Sequence, residues 1–296
     1  MESPVVVGVD GSDASLVATE WAADEAARHG VPLRIVHASL WERYEGSVPD
    51  GSADRPSGQV LAENIAGAAA ERARRRVPSL TVTTDIIAMD ASTALLEAGY
   101  EADLLVLGSS GRGEFADLLL GSVGILVPAR SRCPVVVVRG DRQALDARHE
   151  RVLLGVGDHD ADSSAVRFAF READTRNCEL DAVRTWRRGE ADHPRRGGDE
   201  KRHAEEGATA WLDKALEAGG RAHSRVRLRR DTVEGQARKV LVDRSAAADL
   251  LVLGARRRGG LVGAELGKVA RRALHHASCP VAVVPSEEAT PPPPGP

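Results

Sequence analysis

Two glycine-centred stretches carry the residue types that could hold a phosphate chain. In the first, Gly108-Ser109-Ser110-Gly111-Arg112-Gly113 closes an apolar run, and Gly121-Ser122 follows thirteen residues after Gly108. A glycine-rich turn lets backbone N–H groups come close to phosphate oxygens with no Cβ in the way. A helix opening at Gly121-Ser122 would add unpaired N–H groups and the positive end of its dipole, with Ser122 available as a cap and as a hydroxyl donor. The second stretch repeats this frame with different chemistry. Gly254, Arg257 and Gly267-Lys268 stand where the first has Gly108, Gly111 and Gly121-Ser122.

Two other nucleotide motifs do not fit. A P-loop needs Gly-x4-Gly-Lys-Ser/Thr, but Gly267-Lys268 is followed by Val269 and preceded by Val262 where the leading glycine should be. The dinucleotide fingerprint follows the first strand of its fold, where this chain has Gly8-Val9-Asp10-Gly11-Ser12-Asp13, without the third glycine.

The shared frame belongs to a longer repeat. Asp103-Leu104-Leu105-Val106-Leu107-Gly108 recurs 146 residues later as Asp249-Leu250-Leu251-Val252-Leu253-Gly254, and Cys133-Pro134-Val135 as Cys279-Pro280-Val281. That period is far longer than the roughly 20–50 residues of solenoid repeats, so it marks duplicated domains. A length of 296 residues fits two of them, and 42% apolar residues are enough to fill two cores. Domains are expected at 1–140 and 151–285, with a linker at 141–150 and a disordered Pro-rich tail at 286–296.

Short Val, Ile and Leu runs alternate with stretches of helical period, the pattern of a parallel sheet covered by helices. Strands are predicted at Pro4–Asp10, Leu33–Ala38, Leu80–Ile87, Asp103–Gly108 and Pro134–Arg139. In the second half they fall at Arg151–Gly157, Cys178–Thr185, His223–Asp231, Asp249–Gly254 and Pro280–Pro285. Helices are predicted at Asp13–His29, Leu61–Arg76, Ala91–Tyr100 and Ser122–Ser131. Each half is thus expected to be an α/β domain with an open, five-stranded, parallel, doubly wound sheet, its crevice beyond the carboxyl ends of the strands. Trp41–Gly58 and Arg187–Glu206 read as mobile loops at that end. Val135–Val138 and Val281–Val284 read as edge strands that could pair across the halves or between chains.

Several classes are argued against. A net charge of −4 gives no general footprint for nucleic acid. No apolar stretch approaches a membrane span, and the opening Met-Glu-Ser-Pro lacks the character of a signal peptide, so a cytoplasmic protein is expected. Three cysteines form no disulfide framework, no His has zinc-site spacing, and no protein-held metal is expected.

Val5-Val6-Val7-Gly8-Val9-Asp10-Gly11-Ser12, the Asp103–Gly108 run, Gly-x2-Gly-x9-Gly-Ser and Cys133-Pro134-Val135-Val136-Val137 together resemble the universal stress protein family, and the duplication resembles its tandem members. The resemblance covers 1–139 and 151–285. It implies ATP bound at the carboxyl ends of the strands, with Mg²⁺ brought by the phosphates, and two domains paired through their last strands. By that resemblance Gly8, Val9 and Asp10 would line the adenosine side and Ala38 would meet adenine through its backbone. Gly108, Ser109, Ser110, Gly111, Arg112 and Gly113 would wrap the ribose and phosphates, and Gly121, Ser122 and Val123 would hold the phosphates. Gly124 stands where the family usually has Ser or Thr.

The second half departs further. Aligned on Gly155, it has Gly157 in place of Asp10, besides Arg257 and Lys268. Two lost contacts to a charged group, at roughly 1.5–3 kcal/mol each, would weaken binding about 10²-fold or more; alternatively, the two new cations could attract phosphate themselves. Structural readings stand beside the functional ones. Asp10 and Ser12 could cap the first helix, the glycines could serve tight turns, and Trp41 and Trp186 could either cover an adenine or close the core edge. No nucleophile paired with a base stands out and no Gly-x-Ser-x-Gly elbow occurs, so an adenine-nucleotide-binding regulatory protein is expected, with at most slow ATP hydrolysis. The alternative is a nucleotide-independent pairing or scaffold protein, with room for a homo-oligomer.

Overall fold

The computed structural model describes residues 3–40, 57–109, 120–157, 164–187, 198–255 and 266–286. The first repeat runs β1 (Val5–Gly8), α1 (Asp13–His29), β2 (Leu33–Ala38), α2 (Ser57–Arg76), β3 (Val82–Ile87), α3 (Ala91–Ala98), β4 (Leu104–Gly108), α4 (Ser122–Arg130) and β5 (Val135–Val138). After a one-turn helix α5 (Arg142–Leu145), the second repeats the order: β6 (Arg151–Gly155), α6 (Ser164–Thr175), β7 (Glu179–Trp186), α7 (Gly198–Ala222), β8 (Arg227–Glu234), α8 (Ala237–Arg244), β9 (Leu250–Ala255), α9 (Lys268–His276) and β10 (Val281–Pro285).

Local sequence accounts for the best-defined helix. Ser12 sits in extended backbone and its side chain accepts the Ser15 N–H, Asp13 lies in the first turn and Arg28 and His29 in the last, and Gly30 ends α1 in left-handed backbone with φ 69°. Ala18, Ala22 and Ala26 make its buried stripe, and such small side chains let it lie close to the sheet.

The ten strands of the described residues form one sheet in the order β3-β2-β1-β4-β5-β10-β9-β6-β7-β8. Within each repeat the pairings are parallel; the repeats meet where β5 and β10 pair antiparallel, Val135 opposite Val283 and Val137 opposite Val281. The two valine-rich runs that read as edges are therefore at the centre of the sheet and fully buried, and the outer strands are β3 and β8. The core is not two separate cores. One apolar layer on each face of the sheet runs through both repeats, with Val7, Ile35, Leu154 and Leu180 in one and Val6, Leu105, Leu153 and Val283 in the other.

A helix and a strand of the second repeat depart from their expected bounds, and the linker carries structure of its own. The charged stretch within Arg187–Glu206 is helical from Gly198 onward; its apolar stripe begins only at Ala208 and Leu212, so charge density disguised its first turns. Strand β8 lies three to four residues later than predicted because its exposed Arg227, Arg229 and Arg230 break any apolar alternation. The linker is ordered: α5 is capped by Asp141 and buries Ala144, and the Asp249 carboxylate accepts the His149 and Arg151 N–H groups at 2.9 and 3.1 Å. Residues 41–56 and the Pro-rich tail from 287 fall outside the described residues.

Besides β-pairing, the repeats share a buried ionic cluster. Glu25 and His29 of α1 meet Glu172 and Arg176 of α6, positions related by 147 residues. Arg176 Nη2 lies 2.6 Å from Glu25 Oε2 and its Nε 3.3 Å from Glu172 Oε2, while His29 Nε2 is 3.2 Å from Glu172 Oε1 and 3.3 Å from Glu25 Oε1. Hydrogen bonding to Glu172 and Glu25 pushes His29 up to about 9 despite its burial. Burial would raise the Glu25 carboxyl, but the Arg176 charge and the His29 hydrogen bond hold it well below the ordinary range. Burial and the Glu25 charge push Glu172 up. Although Glu25, His29 and Glu172 offer ligand atoms within 4.8 Å of one another, the two carboxylates are already partnered by the cationic Arg176, His29 and Arg28, so the cluster reads as an ion-pair junction.

Candidate functional site

Where β1 ends, its neighbours on both sides part from it. Val9 N still donates to Val36 O at 2.9 Å, and the Val9 carbonyl then accepts from His37 Nδ1 at 2.8 Å. A carbonyl cannot donate, so Nδ1 carries the proton. His37 is 9% exposed, and its ring replaces the ladder bond the diverging strands no longer make. Beyond it Gly11 turns with φ 80°, and Asp10 Oδ1 accepts both the Ser12 N–H at 2.9 Å and the Ser12 hydroxyl at 2.6 Å. Asp10 thus braces the residue that caps α1, a structural task that leaves its carboxylate at the mouth of the crevice between β1 and β4.

Gly108 ends β4 against the first turn of α1. A Cβ there would lie 2.8 Å from the Ala14 carbonyl carbon and oxygen, so this glycine serves the close approach of a helix to a strand end rather than a tight turn. Ser109 follows with its N–H bonded to Val138 O at 3.1 Å. Ser110, Gly111, Arg112 and Gly113 lie outside the described residues.

Across the ends of β2 and β3 lies a cleft of about 410 Å³, lined by His37, Ala38, Leu61, Ile65, Met89 and Asp90 among others. Ala38, which the resemblance sets against adenine, is one of the lining residues. His37, Ile65 and Met89 were not singled out, because their approach depends on the helix-to-strand register. At the same end of the sheet, α4 begins. Its N-cap is Gly121 in extended backbone, with no side-chain cap, so Ser122 is the first helical residue and not the cap as expected. The Ser122, Val123 and Gly124 N–H groups are among those a helix start leaves without intrahelical partners. Apart from its two chain neighbours, no described residue lies within 4 Å of where a Gly121 Cβ would stand, whereas a Cβ on Gly124 would be 2.7 Å from Leu120 Cδ1. Leu120 therefore fills the space of the hydroxyl side chain usual at position 124.

The second repeat keeps the packing and alters the site. Gly155 is held by Leu241 and Leu253, just as Gly8 is by Leu95 and Leu107. Gly267 caps α9 without a side-chain bond, and Lys268 follows it; Arg257 lies outside the described residues. Gly157, at the place of Asp10, gives its carbonyl to Trp211 Nε1 at 3.0 Å, and Arg184 lies with its guanidinium carbon 5.6 Å from the Trp211 ring centre. Trp186 is 6% exposed at the end of β7, at the core edge. All three cysteines are free and buried, and burial pushes their thiols up, Cys178 to about 11, which is the opposite of what a reactive thiolate needs.

Duplicated five-stranded parallel domains, each with an uncapped glycine-led helix and the first with a cleft at the strand ends, define a tandem α/β protein of the doubly wound class. The Universal stress protein family model matches twice, at residues 1–139 and 149–285, and the chain belongs to that family. It is 33% identical to universal stress protein Rv2005c of Mycobacterium tuberculosis over 287 residues, covering 94% of this chain and 96% of the relative. It is 31% identical to Rv2623 of the same organism, covering 94% and 95%. The crystal structure of a universal stress protein from Archaeoglobus fulgidus shares the fold, with a TM-score of 0.70 at 18% identity over 96% of this chain and 99% of that one. Among the described residues no helix is long and apolar enough to cross a membrane.

Proposed function

We propose that this universal stress protein is a cytoplasmic regulatory module that binds ATP in its first repeat, with the bound nucleotide stabilising one state of the domain. The observation that carries this reading is the uncapped start of α4 at Gly121, on the same end of the sheet as the apolar cleft lined by Ala38 and Ile65. A flat base suits the cleft, and unpaired amides at a helix start suit phosphate oxygens. Gly8, Val9, Asp10 and Gly108 through Gly113 would flank the adenosine and sugar, with Ser122, Val123 and Gly124 donating to phosphate. Mg²⁺ would arrive with the phosphates and neutralise their charge. No general base stands beside a nucleophile at this end of the sheet among the described residues, so hydrolysis would be slow and incidental.

Binding to the folded form stabilises it by mass action. Thermal melts with and without Mg-ATP, on the wild type and on Gly111→Arg, test the reading. The wild type should rise in midpoint with ATP, and the variant, which copies Arg257 into the first repeat, should melt as the apo protein does and ignore ATP. An equal ATP response in both would remove the loop from the site. The pairing alternative loses its simplest route, because β5 and β10 bind each other within one chain.

A further inference from the structure

We infer that Trp211 takes the place of a base in the second repeat, so that the second cleft is a latent site for a planar heteroaromatic ring, held shut by the protein's own indole. This rests on the reading of the first cleft as the base site.

The two repeats align residue by residue around the cleft. Val77 and His223 close their helices by the same bond, to Ala73 O and Gly219 O, 146 residues apart. At that spacing Ile65 of α2 corresponds to Trp211 of α7. On the β1/β6 and β2/β7 strands, whose spacing is 147 residues, Asp10 corresponds to Gly157 and His37 to Arg184. In the first repeat, Ile65 and His37 line the cleft. In the second, the larger Trp211 reaches the strand end and donates its N–H to the Gly157 carbonyl at 3.0 Å, and the Arg184 guanidinium lies against its ring at 5.6 Å.

Adenine can make contacts of the same kind: its exocyclic amino group can donate to a backbone carbonyl, and its flat face can lie against a cation or neighbouring side chain. Those of Trp211 are made intramolecularly, with no loss of translational freedom, so a free base competes poorly. Two substitutions act together here. Gly157 carries no counterpart of the Asp10 carboxylate, and Trp211 donates to the carbonyl there.

The test is titration of adenosine and of Mg-ATP into the full chain and into Trp211→Ile, which copies the first repeat, with Trp211→Phe as a ring-retaining variant without the N–H. Far-UV circular dichroism establishes that each is folded. Adenosine is included because it makes no demand on Arg257 or Lys268. We expect Trp211→Ile to gain one adenosine site per chain, at least about tenfold tighter than any second site of the wild type, and Trp211→Phe to gain a weaker one. A folded Trp211→Ile with the wild-type number of sites for both ligands overturns the inference, as does a wild type that already binds two. A wild type that binds nothing beside a Trp211→Ile that binds one would support the latent site while rejecting nucleotide binding by the first repeat.

Discussion

Arg176 of the second repeat and Glu25 of the first are joined across the domain boundary at 2.6 Å, with both side chains essentially removed from water. Arg176 also lies 5.5 Å from the Trp21 ring centre. Removing one partner of such a pair leaves a buried charge uncompensated, at a cost of about 3–5 kcal/mol. Arg176→Met should therefore lower the unfolding free energy by that order in urea melts, and Glu25→Gln should recover part of the loss in the double variant. Simple additivity of the two losses would contradict a direct pairing.

The same cluster predicts how stability depends on pH. His29 is raised from 6.5 to about 9 by Glu172 and Glu25, so its contribution is complete below its unfolded value and is lost as pH rises through about 9. The shift corresponds to roughly 3 kcal/mol. Glu25 is lowered, so its contribution is present above the ordinary carboxylate value and disappears as pH falls through its folded one. Glu172, raised by burial and by Glu25, adds a further decline as pH rises from its ordinary value. Urea melts from pH 6.5 to 10 should show falling stability, and His29→Asn should flatten the upper part of that slope; an unchanged slope would remove His29 from the cluster's ionic balance.

Gly140, just after β5, has φ 98°, and a Cβ there would run into the Ser278 carbonyl of the second repeat. Gly140→Ala should strain the junction by about 1–3 kcal/mol, lowering the melting midpoint without altering the nucleotide site. A stability equal to wild type would mean that the close approach is relieved at no cost.

Two site glycines should separate packing from binding. Gly108→Ala pushes a methyl into the α1 backbone and should cost about 1–3 kcal/mol. Gly121→Ser meets no described residue apart from its two chain neighbours and supplies an N-cap hydroxyl, so stability should hold or rise by a few tenths of a kcal/mol, while ATP binding weakens because the new oxygen occupies an amide meant for phosphate. Melts and ATP titrations of both variants check this; tighter ATP binding by Gly121→Ser would overturn the assignment of those amides.

The sequence was most legible where apolar runs are continuous. All ten strands are found near their predicted places, and α1 has the predicted bounds, because valine and leucine runs and a Ser12 cap are local signals. The errors fall where locality fails. Strand β8 is an exposed edge whose arginines conceal its register, and α7 starts in charge-rich sequence before any apolar stripe. The residues alone left the central position of β5 and β10 open, since a buried valine-rich run looks the same whether it pairs within the chain or between chains, and it was the family resemblance that implied pairing through the last strands. At the site, Gly8, Asp10, Ala38, Gly108 and Gly121 lie at the predicted end of the sheet, but His37, Ile65 and Trp211 went unseen. The repeat itself held that signal: aligning the helices at 146 residues sets Trp211 on Ile65.

The most direct test is a calorimetric titration of the purified chain with Mg-ATP, fitted for the number of sites. One site per chain is the predicted result, with a first repeat that binds and a second closed by its own side chains. No binding would contradict the nucleotide reading, and two equivalent sites would contradict the difference between the repeats.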